Sequence, residues 1–223
     1  MTCVEARGLR KAYGKTIALD SVDLTVPDGR IVGVIGANGA GKTTLLSAIL
    51  GLIPYEGELS VLGRDPWQDR AALMQEVAFL TDVAVLPRWI RVAQLLDYVE
   101  GVHPRFDRAK AVSFLAKTNI TVERRVKELS KGMVTQLHLA LVMSINARLL
   151  VLDEPTLGLD ILYAKKFYDS LLTDYFDENR TIVLATHQID EVQHVLTDVV
   201  IMQAARVVLE VSSEQLEERY RQV

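Results

Sequence analysis

The sequence predicts an α/β fold with a mostly parallel sheet. Continuous apolar runs, each as long as a strand, recur along the chain at Ile31–Ile35, Leu149–Leu152, Ile182–Ala185 and Val199–Met202. Uninterrupted apolar runs are typical of parallel strands that are covered on both faces. Helix-compatible segments separate the runs, as parallel strand connections require. At 223 residues the chain is long enough to bury a sizeable interior.

The N-terminal part of the chain has a different strand pattern. Apolar and polar residues alternate over Val22–Val26, which is typical of a strand with one buried face. Pro27–Gly29 then forms a turn, and Glu56–Leu62 can return as a strand after the next helix. We therefore expect an N-terminal antiparallel β subdomain beside the parallel sheet.

A glycine-rich turn follows the strand Ile31–Ile35. It reads Gly36-Ala37-Asn38-Gly39-Ala40-Gly41-Lys42-Thr43 and is followed by the helix-compatible segment Thr44–Leu50. Strand, glycine-rich turn and helix make a P-loop, whose backbone N–H groups and helix dipole favour a polyphosphate. Lys42 is expected at the β and γ phosphates, and Thr43 at the accompanying Mg²⁺.

Polar residues also follow two of the other predicted strands. Asp153 and Glu154 end one of them, and Thr186 and His187 follow the next. Ligands bind at the carboxyl ends of strands in an open α/β sheet. Asp153 suits the binding of Mg²⁺, Glu154 the polarisation of an attacking water, and His187 a bond to a γ-phosphate. Two alternatives stay open, because an acidic pair can simply start a helix and a lone histidine is often structural.

The middle of the chain, Val92 to Ile145, is predicted to be rich in helix. Its first apolar residues recur at helical spacing in the segment Val92–Val99. We expect an inserted helical subdomain at about residues 83–146 within a single domain that spans residues 1–223. Leu129-Ser130-Lys131-Gly132-Met133 lies in this part and precedes the helix-compatible segment Val134–Ser144, which leads into the acidic strand.

Together these motifs resemble the nucleotide-binding subunit of ATP-binding cassette (ABC) transporters, over essentially the whole chain. The specific features are Leu129–Met133, the loop Leu157–Asp160 and the later His187, because P-loops alone occur in many NTPases. The resemblance implies a P-loop NTPase core, ATP and Mg²⁺ as cofactors, and ATP hydrolysis coupled to transport. It also implies a homodimer or heterodimer of such subunits, which acts on a separate integral membrane permease.

The resemblance also implies a role for each matching residue. Lys42, Glu154 and His187 would be catalytic, Asp153 would share Mg²⁺ with Thr43, and Asp160 would communicate across the dimer. Tyr13 would stack on adenine, with an ordinary strand-end tyrosine as the alternative. The implied ATP-binding residues are Tyr13, Gly36, Ala37, Asn38, Gly39, Ala40, Gly41, Lys42, Thr43 and Thr44. The implied signature residues, which contact the ATP of a partner subunit, are Leu129, Ser130, Lys131, Gly132 and Met133.

The chain departs from the family pattern in two places. Asp82 stands where the family usually has Gln, and its carboxylate could bind Mg²⁺ or repel phosphate. Lys131 and Met133 replace the commoner Gly and Gln of the signature, in a way that is similar to bacterial exporters of the ABC-2 type. The segment Asp82–Arg91, which contains Trp89, is expected to face the membrane subunit, with a plain surface loop as the alternative.

Composition limits the remaining possibilities. The net charge of −4 leaves no basic footprint, so nucleic acid is not expected as a partner. Cys3 is the only cysteine, which excludes an intramolecular disulfide and suits a reducing compartment. The longest apolar region, Leu137–Leu152, is interrupted by polar residues and too short to span a bilayer. We expect a cytoplasmic protein, peripheral on the membrane through the permease. A soluble cassette protein of translation or DNA repair and a simple P-loop kinase are the rival classes.

Overall fold

The computed structural model describes residues 2–80 and 86–220, apart from four side chains in the last helix. The strands are β1 (Thr2–Tyr13), β2 (Thr16–Pro27), β3 (Ile31–Ile35), β4 (Glu56–Val61), β5 (Val77–Leu80), β6 (Leu149–Asp153), β7 (Thr181–Thr186), β8 (Asp198–Gln203) and β9 (Arg206–Ser212). The α-helices are α1 (Lys42–Ile49), α2 (Arg70–Leu73), α3 (Val92–Val102), α4 (Arg108–Ala116), α5 (Lys131–Val142), α6 (Ile161–Ser170), α7 (Ile189–Val192) and α8 (Ser213–Tyr220). Short 3-10 and π-helical turns occupy Val126–Glu128 and Leu171–Tyr175.

The larger sheet has the strand order β5-β6-β7-β3-β8-β9. Every neighbouring pair in it is parallel except β8 and β9, so the predicted mostly parallel sheet is confirmed. Strand β9 is not predicted from the sequence. Its residues alternate between exposed and partly buried positions, so Arg206–Ser212 lacks the continuous apolar run that marks the central strands.

A second sheet has the order β2-β1-β4 and is antiparallel throughout, which confirms the expected N-terminal antiparallel unit. The buried residues of this sheet share one core with α1 and with one face of the larger sheet. Helix α1 therefore lies between the two sheets. This arrangement brings β2 close to the loop that precedes α1.

The burial of β6 explains its continuous apolar sequence. Leu149 and Val151 belong to the core that contains α1, whereas Leu150 and Leu152 belong to a core on the opposite face, with α6. Successive side chains of a strand point to opposite faces, so a strand covered on both sides must be apolar at every position.

Helices α3, α4 and α5 follow β5 in the chain and precede β6. They share a core of their own, to which α3 contributes Val92, Leu95 and Leu96 and α5 contributes Leu137 and Leu141. The helix-rich middle is therefore present, and its behaviour as a subdomain stays a prediction. Among the helices that the structure describes, none has the length and apolar character needed to cross a bilayer.

Candidate active site

The glycine-rich loop connects β3 to α1. Gly39 and Gly41 have φ values of +82° and +106°, in the region that favours glycine. A Cβ atom on Gly41 would lie 2.4 Å from the carbonyl oxygen of Ala18 in β2, whereas a Cβ on Gly39 would have no atom within 4 Å. Gly41 is therefore required both by its conformation and by the close approach of β2, and Gly39 by its conformation alone.

The Lys42 side chain folds back over this loop and is only 6% exposed. Its Nζ donates to the carbonyl oxygens of Gly36 and Ala37 over 2.7 and 3.3 Å, and lies 3.8 Å from Glu154 Oε1. Backbone carbonyls thus hold an ammonium group inside the curve of the loop. This placement suits a cation that meets an anionic ligand, because Lys can exchange these contacts for phosphate oxygens.

Strand register brings the predicted polar residues to one edge of the larger sheet. Asp153 at the end of β6 is opposite Ala185 of β7, and the next residue of β7, Thr186, is opposite Ile35 at the end of β3. The three neighbouring strands therefore end side by side, next to the P-loop. Asp153 is buried there, with 2% of its surface exposed.

Glu154 is held on β7 at several points. Its backbone N–H donates to the Ala185 carbonyl, and its Oε2 accepts a hydrogen bond from Thr186 Oγ1 over 3.1 Å. Its Oε1 lies 2.8 Å from Nδ1 of His187. A carboxylate can only accept, so Nδ1 carries the proton in this contact. Glu154 also has φ +47°, a conformation that costs free energy for a non-glycine residue and recurs at functional sites.

The two residues that we expect to bind Mg²⁺ are oxygen donors on different elements, α1 and β6. Thr43 is exposed in the first turn of α1, and Asp153 is buried at the end of β6. Oxygen ligands suit Mg²⁺, which keeps several waters and substrate oxygens in its coordination shell. In residues 2–80 and 86–220 no group of three or more His, Cys, Asp or Glu gathers to form a metal site. Asp82 lies outside the described residues, and its role stays a prediction.

Strand pairing in the smaller sheet places Tyr13 near the part of β2 that borders the P-loop. Tyr13 ends β1 and pairs with Thr16, two residues before the Ala18 that borders Gly41. The residue is 51% exposed, and Lys11 Nζ lies 5.2 Å from the centroid of its ring. The position is suitable for stacking on a base next to the phosphate site. Nothing in the sequence pattern predicts the contact between Lys11 and the Tyr13 ring.

The signature residues are apart from this cluster. Ser130 is the N-cap of α5, where its Oγ accepts from the Met133 N–H over 3.3 Å. Ser130 and Lys131 are exposed, and Gly132 approaches the backbone of Gly158. Within the described part of the chain, no hydrogen bond or ion pair connects residues 129–133 with residues 36–43. The positive end of α5 therefore faces solvent rather than its own P-loop.

Asp160 is the N-cap of α6, and its Oδ1 accepts from the Tyr163 N–H over 3.0 Å. This capping role alone explains an acidic residue here. Three apolar side chains around it are nevertheless exposed: Leu157 (51%), Ile161 (86%) and Leu162 (61%). A role of Asp160 in communication across a dimer stays a prediction.

The segment that we expect at a membrane subunit is only partly described. Residues 82–85 lie outside the described part, and Trp89 is 70% exposed. The backbone of Arg88 and that of Ile90 accept hydrogen bonds from Lys127 and Val126, which attaches this segment to the turn before α5. A largely exposed tryptophan on an attached segment is compatible with a protein contact.

Comparisons with known proteins agree with this geometry. The family model described as ABC transporter matches residues 19–157, which include the P-loop and the acidic strand end. The daunorubicin resistance ATP-binding protein DrrA3 of Streptomyces coeruleorubidus is 31% identical over 221 residues, which are 96% of this chain and 70% of that protein. The sulfate/thiosulfate import ATP-binding protein CysA of Bradyrhizobium diazoefficiens is 32% identical over 214 residues, which are 92% of this chain and 62% of that protein. A solved structure of the ATP-binding subunit of an ABC transporter superposes with a TM-score of 0.85 at 22% identity, and covers 99% of this chain and 94% of its own, which supports the fold.

Proposed function

This chain belongs to the ABC transporter family, and we propose that it binds Mg-ATP, dimerises on it and powers transport through a separate membrane subunit. The family's ATP-binding domains hydrolyse ATP to power transport. The observation that carries the proposal is the convergence of Lys42, Glu154 and His187 at the mouth of the P-loop.

Binding would begin at the P-loop. The backbone N–H groups of the loop and the amino end of α1 would hold the phosphates, and Lys42 would move from the loop carbonyls to the β and γ phosphates. When bound, Mg²⁺ would neutralise part of the phosphate charge, held by Thr43 and Asp153. Tyr13 would stack on the adenine beside the loop.

Hydrolysis would use the carboxylate of Glu154. Its position near Lys42 and at the end of the sheet suits the polarisation of a water that attacks the γ-phosphate. His187, hydrogen-bonded to this carboxylate, would hold an oxygen of the γ-phosphate once the nucleotide is bound. The two side chains thus act on the same reacting group from one edge of the sheet.

Dimerisation would complete the site. Ser130 and the exposed amino end of α5 have no bond to their own P-loop among the described residues, so they are available to the ATP of a second subunit. The positive end of a helix favours negative charge such as a γ-phosphate. ATP would then hold two subunits together, and its hydrolysis would release them.

The partner would be an integral membrane permease, which would keep this chain at the cytoplasmic face of the membrane. The exposed Trp89 is our candidate contact. We propose export rather than import because Lys131 and Met133 are similar to the signatures of ABC-2 exporters. One relative is named for drug resistance and another for import, so the direction rests on the signature.

The test combines turnover, assembly and copurification. The purified chain should hydrolyse ATP only with Mg²⁺, and Glu154→Gln should abolish turnover while ATP-bound dimers accumulate in size-exclusion chromatography. A tagged chain isolated from its native membranes in detergent should carry an integral membrane protein with it. Turnover near the wild-type rate in Glu154→Gln would refute the catalytic assignment. Isolation with ribosomes or DNA instead of a membrane protein would favour the non-transport class.

A further inference from the structure

A second side-chain link joins the loop after Glu154 to the segment after His187. Thr156 lies two residues after Glu154, and its Oγ1 donates to Oε2 of Glu191 over 2.8 Å. Glu191 lies four residues after His187, in α7. Both hydrogen-bonding side chains are partly buried. The two segments are therefore tied at two points, once by Glu154 and His187 and once by Thr156 and Glu191.

The second tie rests on a buried tyrosine of α6. The hydroxyl of Tyr168 lies 3.4 Å from Thr156 Oγ1, and the Tyr168 side chain is fully buried. A threonine hydroxyl has one proton, which here goes to Glu191, so Tyr168 is the donor to Thr156. His194, just beyond α7, stands edge-on to the same ring at 6.4 Å. Tyr168 therefore contacts both segments, through Thr156 on one side and His194 on the other.

The segment that carries His187 follows β7 directly, and the backbone N–H of Gln188 donates to Thr186 Oγ1 at the end of that strand. His187, Gln188, Ile189 and Asp190 are exposed, and α7 is a single turn of four residues. One helical turn is not stable by its own hydrogen bonds. Val192, Val195 and Leu196 are buried in the core and anchor the end of this segment, and Glu191 adds a side-chain hydrogen bond nearer to His187.

We propose that Thr156 and Glu191 are positioning residues that hold His187 against Glu154 during ATP hydrolysis. The inference rests on the proposed roles of Glu154 and His187 and extends them to two residues that would act through these side chains. Their link lies on the side of the β6 and β7 ends, and no hydrogen bond or ion pair among the described residues joins either of them to Lys42 or to residues 36–41. Its loss should therefore slow the chemical step without weakening ATP binding.

The experiment compares variants that break the link with variants that keep it. Thr156→Val removes the hydroxyl at nearly constant side-chain shape, and Glu191→Ala removes the carboxylate that accepts its hydrogen bond. Each variant should lower kcat about 10- to 100-fold, because small misplacements of reacting groups have effects of this size. KM for ATP should stay within about twofold, because the P-loop contacts remain. Thr156→Ser and Glu191→Gln keep a donor and an acceptor and should retain most of the turnover. The double variant Thr156→Val/Glu191→Ala should be no slower than the slower single variant.

Asp190→Ala is the matched control. It removes one carboxylate from the same exposed turn, and Asp190 makes no side-chain hydrogen bond within the described residues. It should leave kcat unchanged, and thermal unfolding of every variant should show that the assays use folded protein. The inference would be overturned if Asp190→Ala lost as much kcat as the link variants. It would also be overturned if Thr156→Ser and Glu191→Gln failed to restore turnover, or if the two losses multiplied in the double variant.

One further comparison separates this inference from the proposed function. If Thr156→Val and Glu191→Ala kept the wild-type kcat while Glu154→Gln was inactive, the positioning role alone would be overturned. Full turnover in Glu154→Gln would instead refute the proposed catalytic carboxylate on which the inference rests.

Discussion

Alanine substitutions at Gly39 and Gly41 test how the P-loop is held against the smaller sheet. Both glycines have positive φ, so either substitution forces a side chain into a left-handed conformation at a cost of about 1–2 kcal/mol. Replacement of glycine also restricts the unfolded chain, which offsets about 0.4–1 kcal/mol of this cost at both positions equally. Gly41, at φ +106°, lies further from the left-handed region at about +57° than Gly39 at φ +82°, so the conformational cost of Gly41→Ala is at least as large as that of Gly39→Ala.

Packing makes the two positions different. The new Cβ at Gly41 would stand 2.4 Å from the Ala18 carbonyl oxygen and 3.2 Å from Cε of Met202, whereas at Gly39 it would enter open space. Because Ala18 presents backbone, it cannot rotate away, and β2 must move from the loop. Overpacking of this kind typically costs about 1–3 kcal/mol. We expect Gly41→Ala to lose about 1–3 kcal/mol more than Gly39→Ala in the free energy of unfolding.

The assay is equilibrium unfolding in urea without nucleotide, with the slope of free energy against urea checked for each variant. For a chain of this size the difference should appear as a further fall in Tm of roughly 2–4 °C per kcal/mol. ATP binding should also suffer more in Gly41→Ala, because α1 begins at the next residue, Lys42. Equal losses of stability at the two positions would refute the close packing of β2 on the loop.

Four other predictions follow from the site. Glu154→Gln should lower kcat by about 10²–10⁴, the range of general acid–base catalysis, and should trap ATP-bound dimers; monomers with an unchanged rate would contradict it. Tyr13→Ala should weaken ATP binding by about 1–3 kcal/mol in calorimetry while Tyr13→Trp is tolerated, and equal affinities would leave Tyr13 as an ordinary strand-end residue. Ser130→Arg monomers should still bind ATP but fail to dimerise, and mixing with Lys42→Ala subunits should leave one complete composite site; a loss of monomer affinity as large as that of Lys42→Ala would exclude action on the partner's ATP. Burial raises the pKa of the Cys3 thiol from 9.0 to about 11. The unfolded thiol ionises first, so unfolding free energy should decline from about pH 9 to pH 11, and a thiol reagent at pH 8 should react only in urea; rapid reaction with folded protein would refute this burial.

The local pattern of the sequence was sufficient for the central sheet and for the P-loop. A strand covered on both faces, such as β6, must be apolar at consecutive positions, and this requirement is visible without any knowledge of its neighbours. The glycine spacing between β3 and α1 likewise follows from backbone conformation, as the positive φ values of Gly39 and Gly41 show. The edge strand β9 escaped prediction because it is covered less completely, and its pattern is weaker.

The contacts within the site depend on tertiary structure. His187 and Glu154 are 33 positions apart in the chain, and Thr156 and Glu191 are 35 apart. These pairs meet because β6 and β7 are neighbours in a particular register, with Asp153 opposite Ala185. Sequence periodicity determines that each segment is a strand and which faces are buried. It does not contain the order of the strands or their register, since these depend on how all the buried faces pack together.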